Sequence, residues 1–144
     1  MGPADSFEHL LGSWTTTRTL EDARTGASSH FSGTTTVSLR SDATERLARL
    51  EEVGELETAS WRGAARRSLD VLGGPGSVEL CFLDGRRFIE LDLRPGWARA
   101  LHRCGEDRYE IEVACLGDDR LEERWVVRGP AKDYTATTLL SRRR

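Results

Sequence analysis

"VELCFLDGRRFIELDL", residues Val78 to Leu93, decides the fold. Two apolar runs flank Asp84-Gly85, a dipeptide suited to a tight antiparallel reversal because glycine enters the left-handed backbone region without a steric penalty. Val78, Leu80 and Phe82 share one face of the first run, as alternate residues of a strand do. The stretch therefore reads as a β-hairpin.

Working outward, the same texture recurs along the chain. Strands are expected near Trp14–Glu21, Ser29–Leu39, Arg46–Leu56, Trp61–Leu72, Ser77–Leu83, Arg86–Leu93, Trp97–Arg103, Arg108–Cys115, Arg120–Arg128 and Tyr134–Arg142. Between them stand turn-forming sequences: "RTGA", "RSDAT", "GGPG", "LDGRR", "RPG", "CGED", "LGDD" and "GPAKD". One short helix is predicted at Asp5 to Leu11, where Asp5 or Ser6 can cap and Phe7, Leu10 and Leu11 share a face. Short strands with tight links predict an all-β, up-and-down antiparallel barrel of about ten strands, a single domain over residues 1–144. Closing the sheet removes exposed edges.

The bulk numbers exclude several classes. In 144 residues, 38% are hydrophobic and 31% charged, a globular balance. A net charge of −3 offers no electrostatic footprint for nucleic acid. No stretch has the apolar length of a membrane span, and the first residues lack the pattern of a signal peptide. Cys81, Cys104 and Cys115 are odd in number and widely spaced, which implies neither disulfides nor zinc. These features predict a cytoplasmic protein with no cofactor and no metal, a monomer or homodimer whose partner is a hydrophobic small molecule.

"LLGSW" after a short helix resembles the Gly-x-Trp opening of calycin barrels, the lipocalins, fatty-acid-binding proteins and their relatives. In that fold the tryptophan plugs one barrel end beneath a basic side chain of the last strand, a part Arg142 would take. More specifically, "LGSWTTTRTLEDARTG", "LEEVGEL", "FLDGRRFIELDL", "HRCGEDRY" and "GPAKDYTATTLLSR" resemble a bacterial family known as domain of unknown function 6314. The resemblance implies a lipocalin-like barrel and brings no activity with it. Ser68 and Asp70 stand where the family pattern leads one to expect aromatics, and Ile89 where histidine is common, which implies a pocket adapted to its own ligand.

Alternation sorts the residues that face the barrel interior. Trp14, Thr16, Arg18 and Leu20 share one phase; so do Phe31, Gly33, Thr35, Val37 and Leu39; so do Ala98, Ala100 and His102; and so do Tyr109, Ile111, Val113 and Cys115. Polar groups in that phase are the candidate chemistry. His102 is the candidate general base, because histidine is the side chain suited to proton transfer near neutral pH. Glu52, in phase with Leu50 and Leu56, and Asp70, in phase with Ser68 and Leu72, are candidate acids, since burial raises a carboxyl pKa. The alternative for either carboxylate is an ion pair with Arg18 or Arg66 that holds the barrel together. Arg18, Arg66, Tyr109, Tyr134, Phe82 and Trp125 are the candidate substrate contacts. Lys132, the only lysine, follows a Gly-Pro turn and reads as hairpin punctuation, exposed and away from the cavity centre.

Two functions follow. One is a cofactor-independent enzyme of specialised metabolism, a cyclase, dehydratase or isomerase working by acid–base chemistry on an apolar intermediate in a dry cavity. The alternative is a non-catalytic carrier or sensor of such a molecule. A third reading, a filled barrel that serves protein interaction, sits poorly with the many small inward residues.

Overall fold

The computed structural model describes residues 2–40 and 46–144; apart from Arg40, the expected "RSDAT" turn lies outside the described residues. A short helix, α1 (Ser6–Leu10), precedes ten strands: β1 (Gly12–Asp22), β2 (Ser28–Leu39), β3 (Leu47–Glu57), β4 (Arg62–Gly73), β5 (Val78–Cys81), β6 (Arg87–Leu91), β7 (Trp97–Cys104), β8 (Asp107–Cys115), β9 (Arg120–Gly129) and β10 (Lys132–Arg142). They form one antiparallel sheet in the order β6-β5-β4-β3-β2-β1-β10-β9-β8-β7. The up-and-down barrel read from the sequence is present. The first and last strands join through a long β1–β10 ladder, from Trp14 opposite Arg142 to Asp22 opposite Tyr134. The sheet is interrupted between the consecutive strands β6 and β7, which pack together without a ladder.

The Asp84-Gly85 turn forms as expected, with Gly85 at φ 93° and its amide donating to the Phe82 carbonyl at 2.9 Å. The strands beside it are shorter than their apolar runs because the register breaks. Leu80 pairs with Ile89, but Cys81 pairs with Arg87, so Phe88 is an extra residue in a β-bulge. A bulge re-aims a side chain, and here Phe88 and Ile89 are consecutive and both buried.

Most inward phases stand as read: Trp14 and Thr16, Phe31, Thr35 and Val37, Ile111 and Val113 are all buried. Leu39 is an exception, on the outside of a strand end. The fourth strand requires a correction. Its buried residues are Leu69 and Val71, so Ala65 and Arg67 share the inward phase while Arg66, Ser68, Asp70 and Leu72 face out. Leu72, apolar yet 39% exposed, made the wrong phase look like the core.

One end of the barrel is plugged. Asp5 caps α1 by accepting the Glu8 amide proton at 3.0 Å. Phe7 and the 1%-exposed Trp14 fill the end beneath the helix. The Arg142 guanidinium lies 4.1 Å above the indole centroid, and its nitrogens donate to the carbonyls of Leu11 (2.9 Å) and His9 (2.8 Å). Those carbonyls have no helical partner at a helix C-terminus, so a cation there both bonds and neutralises them. Buried Ser6 accepts the Leu93 amide proton at 2.8 Å and donates to the Gly76 carbonyl at 2.7 Å, tying α1 to the links flanking β5 and β6. Among the described residues no helix is long and apolar enough to cross a membrane.

Candidate functional site

Above the apolar plug a polar layer crosses the barrel. Arg18 projects inward from β1 and donates two parallel bonds to Glu52 of β3, at 2.6 and 2.8 Å, while its Nε donates to Thr138 of β10 at 2.7 Å. The Thr16 and Thr35 hydroxyls pair at 2.7 Å, and Thr35 Oγ1 donates to Glu52 Oε2 at 3.4 Å. Glu52 is only 4% exposed. Burial pushes its carboxyl up, but the Arg18 hydrogen bonds, the charges of Arg67 and Arg18 and the Thr35 bond outweigh that and hold it below the ordinary glutamate value. Glu52 thus sits in the barrel, as expected, and is held as a carboxylate. Glu123 of β9, in phase with buried Leu121 and Val127, approaches the same layer from below, where it borders a small void of about 60 Å³ under the polar groups.

The other barrel end is open, and its mouth has two unlike halves. On the β1–β4 side lies a cleft of about 230 Å³ with Arg18 and Glu52 at its floor. Leu20, Phe31, Leu56 and Ala65 make it largely apolar. Phe31 lies across the facing glycines Gly33 and Gly54, where any side chain would collide with its ring. The Arg18 guanidinium caps that ring at 5.4 Å.

On the β5–β9 side the mouth is filled by rings. Bulged Phe88 contacts Phe82 (5.2 Å between centroids), His102 (5.0 Å), Trp125 (5.3 Å) and Tyr109 (6.3 Å), in tilted or edge-to-face pairs. Such geometry is favourable for aromatic quadrupoles. His102 is therefore inward, as expected, but its surroundings are rings; it also meets Phe82 at 5.9 Å and Tyr109 at 5.8 Å.

Arg67 stands between the halves. It reaches from β4 across the mouth, placing its guanidinium 5.2 Å from the Trp125 ring centroid and Nη2 3.6 Å from Glu52 Oε2. The Arg67 Nε and Trp125 Nε1 donors are both buried and unpartnered. Buried donors without acceptors are costly, about 1–3 kcal/mol each.

At the rim, Lys132 is more than punctuation. Its Nζ donates to the Tyr109 phenol oxygen at 3.0 Å and pairs with Asp107 Oδ2 at 3.1 Å. The Tyr109 and Asp107 contacts push the ammonium pKa up, so Lys132 stays charged. Asp107 fits there because Gly129 has no side chain: a Cβ would lie 1.9 Å from Asp107 Oδ1. Half-buried Tyr134 faces the same mouth, its phenol pushed up chiefly by burial.

Two expected site residues lie elsewhere. Asp70 is on the outer face, accepting from Arg49 Nε at 2.7 Å with Arg40 at 3.9 Å. Arg66 points outward beside the cleft lip, 3.9 Å from Glu51. Their place inside is taken by Arg67, which the true phase of β4 would have revealed by extending Leu69 and Val71 back two residues. Glu123 was equally legible, between Leu121 and Trp125. No cluster of metal-ligating side chains occurs among the described residues.

The S-type phycobiliprotein lyase CPES of Guillardia theta superposes with a TM-score of 0.73 at 12% identity, covering 100% of this chain and 94% of that one. A DUF3598-family protein of unknown function from Nostoc punctiforme PCC 73102 gives 0.60 at 11% identity, covering 98% of this chain and 50% of that one, so this chain spans half its length. At such identities the likeness is one of fold, a lipocalin-like β-barrel. No curated protein matches the sequence. Residues 10–142 match the family of unknown function DUF6314, and on that match, which takes in all ten strands, the chain belongs to DUF6314.

Proposed function

We propose that this barrel binds a small amphipathic acid in its open mouth, with the acid group on Arg67 and the apolar body against Leu20, Phe31, Leu56 and Ala65. The observation that carries this is Arg67 itself: a cation inside an apolar cleft, with a buried donor that no acceptor meets. Arg18 is already matched by Glu52, so Arg67 is the cation with hydrogen bonds to offer. A carboxylate accepts from a guanidinium in charge-assisted bonds roughly twice as strong as neutral ones. Tyr109 and Tyr134 stand at the rim as hydrogen-bonding groups, and Phe82 and Trp125 add ring surface.

This favours a carrier or sensor over acid–base catalysis by His102 with Asp70 or Glu52. Asp70 lies outside the barrel, and Glu52 is held ionised by Arg18. A catalytic reading retains one specific support, the juxtaposition of His102 and Tyr109 at the mouth. Calorimetric titration with octanoate and 2-naphthoate, each beside its methyl ester, tests the main reading. At least one acid is expected to bind about tenfold or more tighter than its ester; equal affinities, or no binding by any of the four, would sink it. Mass spectrometry of the candidate natural ligand after incubation then separates the readings. A ligand recovered unchanged supports binding, and a chemical change abolished by His102→Phe supports catalysis.

A further inference from the structure

The cleft as it stands is small for its task. Its 230 Å³ falls under the roughly 300–1,000 Å³ of pockets that enclose drug-sized ligands, and the ring-lined half of the mouth contributes nothing to it. What separates the halves is one flexible side chain, Arg67, which is 34% exposed and so has a route toward solvent. It touches the far wall only through a face-on approach to Trp125 at 5.2 Å; its other hold is a 3.6 Å ion pair with its cross-strand neighbour Glu52, a carboxylate that Arg18 already bonds twice. The present position leaves its own Nε and the indole Nε1 beneath it buried without acceptors. A strut with one contact across the mouth, and at this cost in unmet donors, is poised to move.

We infer that Arg67 is a movable partition, and that the occupied site is the cleft joined to the Trp125 face behind it, taking a planar aromatic acid. The proposal rests on the acid-binding reading above. A carboxylate entering the cleft draws the guanidinium off the indole and gives its donors acceptors. The π-face so uncovered is then filled by a ring rather than a flexible chain. The wall already presents ring edges and faces from Phe88 and Tyr109 around Trp125, at 5.3 and 6.1 Å between centroids, which offset or edge-to-face stacking completes. Tyr109 adds direction. Its phenol oxygen accepts from Lys132, so its own hydrogen is available to an acceptor on the ligand.

The test compares 2-naphthoate with octanoate on the full chain, following affinity by calorimetry and Trp125 by its indole ¹H–¹⁵N resonance, assigned with Trp125→Phe. Should that variant not fold, the quenching of tryptophan emission by the two acids in the unsubstituted protein serves instead. The expected result is a preference for 2-naphthoate of about tenfold or more, with a shift of the Trp125 indole signal that octanoate does not cause. Arg67→Met should abolish binding of the acid. If octanoate binds as well and the Trp125 signal is unmoved by either acid, the partition is refuted while the acid site stands. If neither acid binds, the acid site falls, and this inference with it.

Discussion

Replacing Arg18 by methionine isolates the ion pair at the centre of the barrel. The substitution keeps most of the side-chain volume but removes two bonds to Glu52, at 2.6 and 2.8 Å, and the bond to Thr138. Glu52, 4% exposed, is left with Thr35 at 3.4 Å and Arg67 at 3.6 Å. Removing one partner of a buried pair costs about 3–5 kcal/mol, chiefly because the surviving charge is uncompensated. Arg67 can close on Glu52 and recover part of that, so the lower end applies, about 3 kcal/mol. With a urea m-value of about 2 kcal/mol/M, the unfolding midpoint should fall by about 1.5 M. Arg18→Met combined with Glu52→Leu should recover most of the loss, since apolar replacement of a buried pair is often neutral. The pH dependence has a definite sign. The lowered pKa of Glu52 contributes stability that is present above its unfolded value and lost as the pH falls through the folded one. In Arg18→Met, burial raises that pKa, so acid neutralises the orphan and the gap to the unsubstituted protein narrows. A single-variant loss below about 1 kcal/mol, or a double variant that loses the sum of its singles, would refute the reasoning.

Three further outcomes are expected. Gly33→Ala places a Cβ 2.2 Å from the Val53 carbonyl oxygen, a backbone atom that cannot turn aside, and should cost about 2–3 kcal/mol; an unchanged melting temperature would contradict the close approach of β2 and β3. Arg142→Ala removes the cover of Trp14 and the donors to Leu11 and His9, for a loss of about 2–4 kcal/mol and a red shift in tryptophan emission. Asp70→Asn, on the outer face among Arg49 and Arg40, should change stability by less than about 1 kcal/mol and leave acid binding intact; weakened binding would overturn the phase assigned to β4.

Period-two alternation carried most of the architecture, because a strand with one wet and one dry face writes its orientation into every second residue. It worked where dry-face residues were apolar without competition, as in "RYEIEVAC". It failed in "RRSLDVLG", where Leu72 on the outside vied with Leu69 and Val71 on the inside, and the error carried Asp70 in and Arg67 out. The pairing of Arg18 with Glu52 was visible as an alternative because both stand in clear inward phases. The ring cluster was not, since it depends on the bulge at Phe88, a one-residue register break that no alternation shows. Lys132 was misjudged for a similar reason. It is the first residue of β10 rather than part of the turn, and its reach to Tyr109 crosses β9 to the neighbouring strand β8, a contact no local pattern shows.

The missing ladder between β6 and β7 bears on how the chain comes to fold. Neighbours in sequence are left unpaired there, while the two ends of the chain, β1 and β10, carry the bonds that make the sheet one piece. Bringing distant segments together costs loop entropy before any contact repays it. The β1–β10 ladder should therefore be a late and slow event, and during synthesis β1 must wait for nearly every other residue before gaining its second neighbour. Conversely, a circular permutant opened at exposed Pro95, with the old termini joined, would sacrifice no strand pairing, and it would turn that slow long-range closure into a local hairpin.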